Sequence, residues 1–139
     1  MNPENTKKLF EKYPKLFPEE ERNDPRKSLM RYGFGIKDGW FKLIDKLCAD
    51  IQNKIDQEKK KDPKYHQVTA FQVKEKFGGL RFYINGAPDT KIFDMIHKAE
   101  NESYKICESC GKKGKLTNAF KWYKILCESC KKKGRRILY

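Results

Sequence analysis

The chain is poor in the groups that most enzymes use. Histidine occurs only twice in 139 residues, as His66 and His97. His66 falls in an expected loop beside Tyr65, and His97 reads as a core-edge residue beside an apolar helix stripe. The sequence contains no Gly-x-Ser-x-Gly elbow, Walker loop, His-Glu-x-x-His site or His-x-Glu deaminase signature. Gly33-x-Gly35 lacks the rest of a dinucleotide fingerprint, and Asp38, Asp45, Asp50 and Glu75 form no paired-carboxylate pattern. A protein without enzymatic activity is expected.

Long apolar runs are missing too. None approaches the roughly 20 residues that span a bilayer. The opening Met1-Asn2-Pro3-Glu4-Asn5-Thr6 has no apolar stretch of the signal-peptide kind. No membrane partner is expected. The expected setting is a reducing cytosol, which favours thiolate–metal chemistry over disulfides.

Acids are scarce. Lys and Arg number 32 against 19 Asp and Glu, a formal charge of +13. The excess is concentrated late: residues 103–139 hold eleven Lys or Arg and two acids, Glu108 and Glu128, a net of nine positive charges. Four thiolates around one dication would lower this to about +7. Such a field attracts polyanions, namely nucleic acid, nucleotides or acidic protein surfaces. The plainer reading is solubility.

The periodicities predict an α+β fold. A short helix is expected over residues 4–13, interrupted by Pro14 and Pro18, and residues 19–27 read as an exposed connection. Asp38 reads as a helix N-cap. After it, Trp40, Ile44, Leu47, Cys48, Ile51 and Ile55 recur at spacings of three and four, an amphipathic stripe ending near Lys59. Cys48 lies on that stripe and reads as a small core residue. Residues 67–77 and 80–85 predict a hairpin with Gly78-Gly79 as its two-residue turn. That register pairs Phe77 with Leu80, Lys76 with Arg81 and Lys74 with Tyr83. Phe71, Val73, Phe77, Leu80, Phe82 and Ile84 then face the core, and Gln72, Lys74, Lys76, Arg81 and Tyr83 face outward. Glu75 falls on the apolar face and needs a partner, an edge or a bulge. A second amphipathic helix is expected over residues 89–104, with Ile92, Phe93, Ile96, Ala99 or Glu100, and Tyr104 in its stripe. The expected division is an α+β domain at 1–104, with 1–35 as an N-terminal helical and extended segment, followed by a metal-binding module and basic tail at 105–139.

Cys107-x2-Cys110 and Cys127-x2-Cys130, separated by sixteen residues, carry the strongest motif. Two residues between thiolates let one tight turn offer both sulfurs to one ion, and two such turns complete a tetrahedral site with no open position. One structural Zn²⁺ is expected. Disulfides, a redox pair or an iron–sulfur cluster are the alternatives. Residues 115–126 can form a short hairpin, and a brief helix after Cys127 would make the module treble-clef-like rather than a zinc ribbon. Phe120-Lys121-Trp122-Tyr123-Lys124 alternates cations and aromatics. The favoured reading is a mini-core around the metal and its junction with the main domain; the other is stacking on unpaired bases.

Several blocks resemble a family of small bacteriophage and prophage proteins: Tyr13-Pro14-x-Leu16-Phe17, Asp38-Gly39-Trp40-Phe41-x-Leu43-Ile44-x-x-Leu47-Cys48, Lys74-Glu75-Lys76-Phe77-Gly78-Gly79-Leu80-Arg81-Phe82-Tyr83 and the late cysteine pairs. The likeness covers most of the chain. Lys37 departs from the Gly-Asp-Gly-Trp form common in that family. The resemblance implies a phage origin and the cytosol of an infected bacterium, and it supplies no reaction. By analogy with other small phage proteins it suggests an accessory role, in some cases against host defence. It also directs attention to Lys74, Lys76, Arg81 and Tyr83, which the hairpin core does not require. With Lys121, Lys131, Lys132, Arg135 and Arg136 they are the candidate phosphate-binding residues. The leading expectation is nucleic-acid binding. The alternatives are sequestration of a nucleotide immune signal, and inhibition of a host enzyme by protein–protein contact.

Overall fold

A computed structural model of the chain describes residues 1–86, 89–118 and 122–138, with side chains through Lys133. It has the mixed helix-and-hairpin architecture expected. The first helix, α1 (Pro3–Lys12), starts where Asn2 accepts the Asn5 N–H at 2.8 Å and stops at Tyr13, before Pro14. After Pro18, α2 is a single turn (Glu19–Arg22) with no buried residue. The long helix α3 (Phe41–Lys61) follows a 3-10 turn at Asp38–Trp40. Strands β1 (Thr69–Lys76) and β2 (Gly79–Asn85) form an antiparallel ribbon, and α4 (Thr90–Ser103) packs on β2 and α3. The C-terminal module is β3 (Lys115–Thr117), β4 (Lys124–Leu126) and α5 (Glu128–Leu138). Among the described residues no helix is long and apolar enough to cross a membrane.

Burial follows the helical stripes. Trp40, Ile44, Leu47, Cys48, Ile51 and Ile55 are all buried, as are Ile92, Ile96 and Ala99 of α4 and Val73, Leu80 and Phe82 of the ribbon. Burying each large apolar side chain is worth roughly 1.5–3 kcal/mol. The N-terminal segment adds Leu9, Leu16 and Phe17, with the rings of Phe10, Phe17 and Phe34 at 5.4 to 5.7 Å from one another. Phe93, placed in the stripe of α4 by sequence, is 43% exposed and stacks on His97.

Asp38 is not the N-cap of α3. The helix begins beyond Trp40 without a side-chain cap. The Asp38 carboxylate instead accepts the Asn2 N–H at 2.9 Å and the Asn5 side-chain amide at 3.0 Å, tying the start of α1 to the start of α3. These hydrogen bonds, the Asn2 N–H foremost, hold its pKa below the usual carboxylate value.

The ribbon's register also differs from expectation. Its turn is Phe77-Gly78, not Gly78-Gly79: Lys76 pairs with Gly79, Glu75 with Leu80, Lys74 with Arg81 and Val73 with Phe82. Phe77 takes φ 52° and Gly78 φ 89°, the two positive values of a tight hairpin turn. At Gly79, now on the strand, a β-carbon would run into the Tyr104 phenol, so this position requires glycine for close packing rather than for the turn. Phe77, now in the turn, leaves the predicted core face and is 69% exposed. Phe71 also departs from its place, because the register shifts at a bulge between Ala70 and Gln72 and leaves it half-buried. Glu75 finds its partner within the turn, accepting the Gly78 N–H at 2.8 Å.

A two-stranded ribbon leaves both edges unpaired, and here both are covered. Along β1, Leu29 donates to the Phe71 carbonyl, Gly35 donates to the Val73 carbonyl, and the Gly35 carbonyl accepts from Glu75 at 3.1 Å. Along β2 the cover is side chains of α4. Ser103 Oγ accepts the Leu80 N–H at 3.0 Å, and Glu100 accepts the Phe82 N–H at 3.1 Å. Ser103 is fully buried. Ser103→Ala should orphan the Leu80 N–H and lower stability by about 1–3 kcal/mol. Urea unfolding should show a reduced midpoint with an unchanged slope.

Candidate metal centre

The first half-site grows out of the end of α4. Ile106 donates to the Ser103 carbonyl, and the chain then folds back so that Cys107 donates to the Lys112 carbonyl at 2.7 Å. Gly111 closes the turn by donating to the Cys107 carbonyl at 2.9 Å, with φ 82°. That backbone region suits glycine, which explains the residue after Cys110. The second half-site is the junction of β4 and α5. Cys127 precedes the helix, and its sulfur accepts the Cys130 N–H at 3.4 Å. Strands β3 and β4 pair Lys115 with Leu126 and Thr117 with Lys124. The Glu108 N–H donates to the Ile125 carbonyl at 2.9 Å, which brings the two half-sites together. Knuckle, hairpin and helix follow one another in the treble-clef-like order, not the ribbon order.

The sulfurs of Cys107, Cys110, Cys127 and Cys130 lie within 4.8 Å of one another, with Cys110 and Cys127 at 3.6 Å. A tetrahedral ion with sulfur ligands at about 2.3 Å needs sulfur–sulfur edges of about 3.8 Å. The four cysteines are thus placed to hold a metal ion. Cys107 is buried and Cys110 faces solvent. The Cys130 N–H, the largest influence, helps lower the Cys127 thiol to about 7, while burial helps push Cys130 up to about 12. Cys48 lies outside the cluster and fully inside the core, where burial raises its pKa and leaves it an inert thiol.

The knuckle is docked on the main body by Asp38-Gly39-Trp40. Gly39 donates to the Glu108 carbonyl at 2.7 Å, and the Trp40 indole donates to the Ile106 carbonyl at 2.8 Å. A β-carbon at Gly39 would overlap the Cys107 and Glu108 carbonyl oxygens. Ile125 of β4 is fully buried in the main core. The approach also buries Glu108 to 3% exposure and raises its pKa, chiefly by desolvation. One oxygen of its carboxyl is left without a hydrogen-bond partner. Sequence reading missed this dock. Its only signal was a glycine between Asp38 and Trp40.

The candidate phosphate residues fall into two groups. Lys74, Lys76, Arg81 and Tyr83 share the outward face of the ribbon, as the alternation predicted. Lys74 Nζ lies 5.8 Å from the Tyr83 ring centre, and with Phe71, Gln72, Ile84 and Asn85 these two line an open depression of about 430 Å³. Arg81 is partly committed, donating to the Leu80 carbonyl at 2.8 Å and the Tyr104 hydroxyl at 3.5 Å. Lys131 and Lys132 lie on α5, half-buried and exposed respectively. Arg135 and Arg136 continue that helix, but their side chains fall outside the described residues, and Lys121 falls outside them altogether.

The mini-core reading of the module's aromatics does not hold for the two that are described. Trp122 is 70% exposed and Tyr123 50%. The buried apolar side chains of the module are instead Cys107, Leu126 and Ile125, the last within the main core. Phe120 lies outside the described residues.

No family model matches the chain, and neither a curated protein nor a solved structure matches it.

Because Gly39 carries no side chain, the dock can be broken without touching a ligand. Gly39→Ala should destabilise the protein by about 1–3 kcal/mol through overpacking. It should also weaken metal retention against a chelator, read by elemental analysis beside Cys110→Ser, which removes a ligand outright.

Proposed function

We propose that the cysteine cluster holds one structural Zn²⁺ and that the chain is a non-enzymatic protein that binds nucleic acid. A four-sulfur set fills a tetrahedral ion and leaves no position for a substrate, which supports a structural role for the metal. The observation that carries the binding reading is the outward face of the β1–β2 ribbon. Lys74 and Arg81 stand directly opposite each other there, with Lys76 and Tyr83 on the same pleated surface. Like charges set across a ribbon cost stability rather than add it. Such an arrangement makes sense where phosphates neutralise it. The late run of lysines on α5 extends the same attraction. In the setting implied by the resemblance, the protein acts as a phage accessory factor in the bacterial cytosol.

The ribbon face is open, which favours a polymer over an enclosed small nucleotide. Binding of labelled DNA and RNA at low salt should weaken steeply as salt rises. Lys74→Ala with Lys76→Ala should lower the affinity about tenfold or more and reduce the salt slope by about two. Undetectable binding to single and double strands at low salt would sink this reading. A thermal shift with a nucleotide panel in that case would move the function to nucleotide sequestration, and capture of one host enzyme would move it to inhibition.

A further inference from the structure

We infer that the exposed rings of Phe77, Trp122 and Tyr123, with Leu116 beside them, offer stacking faces to unpaired bases, so that the ligand is single-stranded nucleic acid. The inference rests on the nucleic-acid reading above and narrows it. The four side chains are among the most exposed large apolar groups of the protein, at 69%, 52%, 70% and 50%. They belong to two hairpins that are distant in sequence. The turn of the β1–β2 ribbon abuts the β3–β4 hairpin at Gly78: a β-carbon there would lie 3.0 Å from Leu116 Cδ1 and 3.3 Å from Tyr123 Cβ. Phe77 precedes Gly78 in the chain and Trp122 precedes Tyr123, so the exposed rings flank this contact between the two hairpins.

Phe77 is the informative member. Its φ of 52° lies in the left-handed region, which costs an L-residue roughly 1–2 kcal/mol. Asparagine, aspartate or glycine is the usual occupant of such a turn position. The packing of Gly79 against Tyr104 accounts for the glycine there, but nothing in the turn calls for an aromatic ring in solvent. Strained, exposed rings of this kind gather at binding sites.

The surroundings identify the occupant. Lys76 Nζ lies 5.8 Å from the Phe77 ring centre. Between Glu108 and Glu128 the chain carries five lysines and no acid. The one carboxylate at the turn, Glu75, is engaged by the Gly78 N–H. Rings interleaved with cations suit a polymer that offers flat bases and phosphates together. A duplex hides its base faces in the stack, so only an unpaired strand can use the rings.

The test compares a labelled single strand of about 12 nucleotides with a duplex of the same sequence, using the full chain with its metal. The single strand should bind at least tenfold more tightly. It should also quench the emission of Trp122, which is distinguishable from Trp40 because one is exposed and the other fully buried. Trp122→Ala and Phe77→Asn should each weaken single-strand binding about five- to 150-fold and leave duplex affinity unchanged. Asparagine relieves the turn, so Phe77→Asn keeps the fold, and an unchanged metal content confirms it. Equal affinity for both forms, with no response to either variant, overturns stacking and leaves the electrostatic reading in place. Failure of either form to bind at low salt overturns both.

Discussion

The structure turns on the backbone-to-backbone approach between the Asp38-Gly39-Trp40 turn and the cysteine knuckle. Two hydrogen bonds cross it, one from the Gly39 N–H and one from the Trp40 indole. Both end on carbonyls that flank Cys107, so a sulfur of the cluster is positioned by the start of α3 as well as by its own loop. Trp40 is fully buried between the two parts. The cysteine module is therefore not a bead on a tether. Its β4 strand contributes Ile125 to the same core that α3 and α4 fill. The cost of the approach is visible in Glu108, a buried carboxyl with one oxygen unpartnered.

This dock accounts for much of what surrounds it. Once the knuckle is fixed, Glu108 carries β4 beside it through the Ile125 carbonyl, and β4 carries β3. Leu116 of β3 and Tyr123 before β4 are then brought against Gly78 of the ribbon turn. On the far side, Tyr104 at the end of α4 lies against Gly79 and leaves no room for a β-carbon. The β1–β2 ribbon is held near its tip from both directions. Its shape is set by contacts made at glycines, where the absence of a side chain is the specification.

Sequence periodicity exposed the parts governed by burial and hid those governed by close approach. The stripe of α3 was legible because six apolar residues repeat at the helical period, and all six are buried. The outward face of the ribbon was legible because alternation has period two regardless of where the turn falls. The register was not. Gly78-Gly79 satisfies the local rule for a tight turn, but Gly79 is reserved for Tyr104, a residue twenty-five positions away whose packing leaves no local trace. Asp38 misled in the same way: its side chain suits an N-cap, and a long-range bond to Asn2 takes it instead. The four cysteines placed to hold a metal ion were legible, since that chemistry demands a spacing and the spacing is local.

The exposed rings of the cysteine module follow from what a metal does for a small fold. A segment of this size has too little apolar area to order itself by burial. An ion held by the four sulfurs would contribute on the order of 10 kcal/mol instead. Apart from Ile125, which joins the main core, the described buried apolar side chains of the module are Cys107 and Leu126. Trp122 and Tyr123 are then not needed inside, which is why a reading that assigned them to a mini-core failed. A fold that had to bury its aromatics to survive could not display them; one pinned by a metal can keep them on the surface beside its lysines.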